Sequence, residues 1–158
     1  KIQAAKDSQS DPDFVVVARV EAFIAGRNLE ETLARASAYK DAGADAILIH
    51  SSRKDAAEIL AFKQAWGYRL PVVIVPTTYY QTPTATFREA GFSVCIWANH
   101  QLRSALLAMQ KTARQIFETQ SIASVEPEVA TLAEVFRLQN AAELQQAETK
   151  YLTTLNHD

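Results

Sequence analysis

The stretch Ala42-Gly43-Ala44-Asp45-Ala46-Ile47-Leu48-Ile49-His50-Ser51 joins a stop, a run and an end. Gly43 closes the segment before it, Ala46–Ile49 is an unbroken apolar run, and His50 and Ser51 are polar groups placed where that run finishes. An apolar run without alternation suits a strand of a parallel sheet, buried on both faces. Three similar runs, rich in Val and Ile, lie at 14–17, 72–75 and 93–97.

The segments between these runs carry the helical period. The first, 29–42, opens with Asn28 and has Glu31 three residues later, a capping pattern; it places Leu33 and Ala36 inward and ends at Gly43. The second starts at Asp55, buries Ile59, Phe62 and Trp66, and stops at Gly67. A short third opens with Thr82 as cap and Pro83 in its first turn, where a missing N–H costs nothing, and closes at Gly91. The fourth, 100–118, is the longest amphipathic stretch, with Leu102, Leu106, Met109, Ala113 and Ile116 on one stripe. Two more helices are expected at 131–138 and 141–152, beyond a loop containing Pro127.

Strand then helix, four times over, implies an α/β fold with right-handed crossovers and a parallel sheet. Residues 1–120 hold the four units, and 121–158 form a C-terminal helical appendage of the same domain. A small doubly wound sheet and one half of an eight-stranded barrel both fit, and periodicity does not separate them.

Composition narrows the function. The chain has 158 residues, of which 48% are hydrophobic and 22% charged, within the range of ordinary globular domains. A net charge of -2 with scattered Lys and Arg gives no footprint for nucleic acid. No apolar run reaches the roughly 18 residues of a membrane span, and residues 1–13 are polar where a signal peptide is apolar, so a soluble cytoplasmic protein is expected. The single cysteine, Cys95, sits in an apolar run and reads as a small core residue.

In either fold, ligands meet the carboxyl ends of the strands, which directs attention to Arg19 and Glu21, His50 and Ser51, Pro76 and Thr77, and Asn99 and His100. With only four glycines there is no glycine-rich dinucleotide or phosphate loop, so side chains must hold any phosphate. Arg19 offers a planar fork of donors for a carboxylate or phosphoryl group; an ion pair with Glu21 is the alternative. His50 is a donor or proton shuttle, or else a packing residue. Placed at the ends of neighbouring strands about 5 Å apart, Arg19 and His50 converge on one ligand atom. Asn99 reads as the N-cap of the long helix, and Glu21 as a support for Arg19. No strand end carries a metal-ligand spacing.

The stretch from Val16 to Gly26, reading VVARVEAFIAG, and the stretch from Ala42 to Ser51 closely resemble the phosphoenolpyruvate mutase branch of the isocitrate lyase superfamily. The similarity continues through Pro71 to Thr77, Tyr79 to Pro83, Ile96 to His100 and Phe136 to Gln139, essentially the whole chain. The resemblance implies a TIM-type (β/α)8 barrel whose last four βα units are those found here, and an isomerase that interconverts phosphoenolpyruvate and phosphonopyruvate. It further implies magnesium at the carboxyl end of the barrel, Arg19 and His50 as catalytic, substrate-binding contacts to the transferring phosphoryl group, and a homo-oligomer, a dimer of dimers in which the helix at 100–118 is swapped onto a partner. The family's metal-binding carboxylates, early phosphate loop and mobile lid belong to strands that would precede Lys1. The chain is therefore expected to be a later half, inactive alone. Phosphonopyruvate hydrolase, a carbon-carbon lyase of the superfamily and a non-catalytic half-barrel are the alternatives.

Overall fold

A computed structural model describes residues 1–152; residues 153–158 of the expected appendage lie outside the described residues. The chain divides into two compact units, Lys1–Leu102 and a second beginning at Arg103.

The first unit begins with a short helix α1 (Ile2–Ser8) and then alternates β1 (Val17–Val20), α2 (Leu29–Asp41), β2 (Ala46–Ile49), α3 (Ala57–Trp66), β3 (Val72–Ile74), α4 (Thr84–Glu89) and β4 (Val94–Cys95). The four strands are parallel and lie in sequence order β1-β2-β3-β4, as successive right-handed βα units require. Helix α5 (His100–Thr119) follows. In the second unit, a 3-10 turn at Glu126–Glu128 surrounds Pro127, and α6 (Leu132–Leu138) and α7 (Ala141–Tyr151) match the two expected helices.

One face of the sheet carries the core. Ala18 and Val20, Ile47 and Ile49, and Val72 and Ile74 meet Ala36 of α2 and Ile59, Phe62 and Trp66 of α3. The Phe62 and Trp66 rings stack at 5.6 Å, at the helical spacing that aligns their side chains. Leu33 is only partly buried, whereas Thr32 is fully buried, its hydroxyl bonded back to the Asn28 carbonyl at 2.8 Å. The Asn28 cap forms as expected, accepting the Glu31 N–H at 2.9 Å; the Glu31 carboxylate turns instead to Arg35.

Burial on both faces holds for the central strands β2 and β3, where Ala46 and Val73 are buried on the face away from α2 and α3, but not for the outer strands. Strand β1 alternates exposed and buried, and on the face away from α2 and α3 Val17 and Val94 are 45% and 47% exposed. An unbroken apolar run does not disclose whether its strand lies inside the sheet or at its edge, which is what separates these two cases.

Three further boundaries move. Strand β1 is displaced from the run at 14–17: Phe14 and Val15 lie outside it, and the ladder starts where Val16 is captured by Asp45. The Asp45 carboxylate accepts the Val16 N–H at 2.8 Å while the Asp45 N–H binds the Val16 carbonyl at 2.9 Å. Lys6 of α1 completes this clamp at 3.0 Å, and the Val16 N–H first, then Lys6, holds the Asp45 carboxyl below its ordinary range. Helix α4 is entered through Pro83 at the cap position, so Thr82 does not cap it. Strand β4 is two residues long, well short of 93–97.

Candidate active site

The register places the polar side chains. Arg19 pairs with Leu48, Leu48 with Val73 and Val73 with Val94, so these four form one row across the sheet on the face away from α2 and α3. Arg19 therefore lies within β1 rather than beyond it. His50 follows Leu48 by two residues, on the same face and one step nearer the carboxyl end, about 6–7 Å along the strand. The two residues are diagonal neighbours, not directly opposite.

They nonetheless act on each other. The His50 imidazole is held below its ordinary value of 6.5, by burial first, then by the positive charge of Arg19, with Glu21 opposing both. The neutral imidazole, with one N–H and one lone pair, is thus the favoured form at neutral pH. Its Nδ1 is buried and has no hydrogen-bond partner. Arg19 pairs with Glu21 through Nε, and both side chains are about half exposed, so that pair is a weak tether. The ion pair of the alternative reading exists, and it leaves the Arg19 side chain about half exposed.

Asn99 is not the cap it was expected to be. It directly precedes α5, but its Oδ1 is buried without a hydrogen-bond partner instead of accepting a helical N–H. Pro76 is buried. Cys95 packs at the edge of the core, where burial pushes its thiol up. Tyr79, fully buried against Phe87, has its phenol pushed well above the usual range by burial first and Cys95 second, which keeps it neutral.

Sequence reasoning assigned no role to Ser51. It is fully buried, and its hydroxyl donates to the Glu58 carboxylate in the first turn of α3 and accepts the Arg53 N–H at 3.1 Å. Its carbonyl accepts the Thr78 hydroxyl at 3.0 Å. A serine at a strand end with a glutamate opening the next helix is the only local signal, and it is too common to single out unaided.

Among the described residues no three His, Cys, Asp or Glu side chains gather to hold a metal ion. Glu21, the carboxylate whose charge reaches His50, is engaged by Arg19. These residues do not supply the oxygen cage that magnesium takes. No described helix is long and apolar enough to cross a membrane.

The fold and these groups define a class: an α/β protein of consecutive parallel βα units, with a guanidinium and a neutral imidazole toward the carboxyl end of its strands. The family model described as phosphoenolpyruvate phosphomutase matches residues 1–117. The chain belongs to the phosphoenolpyruvate phosphomutase family. It is 59% identical to a phosphoenolpyruvate phosphomutase of Tetrahymena pyriformis over 96% of this chain and 51% of that protein. The crystal structure of phosphoenolpyruvate phosphomutase from Streptomyces platensis subsp. rosaceus matches with a TM-score of 0.93 at 43% identity, over 96% of this chain and 53% of that one. A phosphonopyruvate hydrolase solved in complex with oxalate and magnesium matches with a TM-score of 0.92 at 40% identity, over 97% and 54%. The chain spans about half the length of the curated relatives it matches. Its four-stranded sheet with flanking helices is accordingly a partial barrel, consistent with half of that fold.

Proposed function

We propose that this chain is the part of a phosphoenolpyruvate mutase that supplies Arg19 and His50 to the transferring phosphoryl group, in an enzyme that interconverts phosphoenolpyruvate and phosphonopyruvate. The observation that carries the reading is the pairing of a half-exposed guanidinium with an electrostatically coupled neutral imidazole, in a chain 59% identical to a phosphomutase.

The reaction moves a phosphoryl group between the enol oxygen and the methylene carbon of pyruvate. By a dissociative route the group passes through a metaphosphate-like arrangement with charge spread over its oxygens, and the protein's task is to hold it still. Arg19 contributes fixed positive charge, and His50 contributes one N–H without adding a second full charge. Glu21 keeps the guanidinium near the sheet without burying it. Magnesium, the family's metal, would stabilise developing negative charge when bound, and the described residues hold no ligand set for it. The same reading carries a cytoplasmic setting and a small-molecule substrate.

The 158 residues alone are expected to convert no phosphonopyruvate. Joined to the part of the Tetrahymena pyriformis phosphomutase that it does not match, the chain should convert phosphonopyruvate into phosphoenolpyruvate, seen by phosphorus NMR with magnesium present. Inorganic phosphate with pyruvate would make the activity the hydrolase's instead, and an unchanged spectrum would sink both readings.

A further inference from the structure

The His50 ring is fixed by no bond at its buried Nδ1, so its aim depends on the backbone that carries it. On one side that backbone is the β2 ladder, which ends at Ile49. On the other side it is Ser51, which is tied from three directions: to the first turn of α3 through Glu58, to its own loop through the Arg53 N–H, and to the β3–α4 loop through Thr78. The Ser51 hydroxyl is fully buried and spends its only O–H on Glu58, so it has no donor left for a ligand. Its bonds serve the chain on either side of it.

We propose that Ser51, Glu58 and Thr78 form a clamp that positions the His50 imidazole, joining the loops after β2 and β3 at the residue next to the ring. These are positioning residues: they act through His50. The catalytic side of the proposal rests on the reading of His50 given above, while the clamp itself is a property of this chain. The charges that act on His50 are those of Arg19 and Glu21, from β1 and the residue following it; Glu58 is not among them. A change at Glu58 therefore reaches His50 through geometry and not through its own charge.

The test is an NMR titration of the His50 imidazole in the 158-residue chain, free of substrate, with dispersed amide spectra as the check on folding. Glu58→Ala and Thr78→Val should each move the His50 midpoint up toward 6.5, because a released loop admits water to the ring. Glu58→Gln, which still accepts the Ser51 hydroxyl, should restore the parent midpoint. A folded Glu58→Ala chain with the parent midpoint would overturn the proposal, and Thr78→Val, which removes a single hydroxyl, decides it in the same way if Glu58→Ala does not fold. Because no substrate is present, this result is independent of whether the completed enzyme proves to be a mutase.

Discussion

At the scale of single residues, the site rests on opposing charges around one imidazole. Arg19 disfavours protonation of His50 and Glu21 favours it, so Arg19→Ala should raise the His50 midpoint and Glu21→Gln should lower it further. NMR titration reads both, and a midpoint that ignores both substitutions would separate the three groups. The lowered value also carries a sign for stability. The unfolded chain takes up the proton more readily than the folded one, so the contribution of His50 is complete above 6.5 and is lost as pH falls through the folded value. His50 itself was legible in the sequence because it ends an unambiguous apolar run. Arg19 was legible as a residue but not in its place, since the run before it does not reveal that the ladder starts at Val17. Ser51 was not legible as a clamp, because its partners Glu58 and Thr78 come from α3 and from the loop after β3, seven and 27 residues away.

At the scale of elements, the stops of α2, α3 and α4 were visible and several starts were not. Gly43, Gly67 and Gly91 end α2, α3 and α4 with positive φ, a conformation open to glycine and costly for other residues. The start of α4 and the existence of α1 escaped because Pro83 replaces a side-chain cap and α1 buries no residue. The apolar spacing of α3 was the surest signal, and its consequence is measurable. Phe62 is fully buried and stacked on Trp66, so Phe62→Ala should cost about 3–5 kcal/mol in urea unfolding of the chain. A loss below about 1 kcal/mol would mean that this face is not the core.

At the scale of the whole molecule, two surfaces are larger than this chain covers. The sheet face bearing Arg19 leaves Val17 and Val94 about half exposed, and α5 buries none of its 20 residues although Leu102, Leu106 and Met109 line it. Exposed apolar stripes of this length mark interaction surfaces. Whether α5 is such a surface is open to test: Leu106→Lys should lower the oligomeric state seen by sedimentation, and an unchanged profile would mean that α5 is not one. The sequence shows the stripe but not its occupant, because amphipathicity specifies a partner's polarity and not its identity. The most direct measurement is the rate of phosphonopyruvate conversion, followed by phosphorus NMR, in the chain completed from the Tetrahymena pyriformis relative and in its Arg19→Ala and His50→Ala variants. Loss of about 10²–10³-fold in each variant, with the fold intact, is the predicted result for donors aimed at a developing charge. Full conversion by either variant would contradict the site.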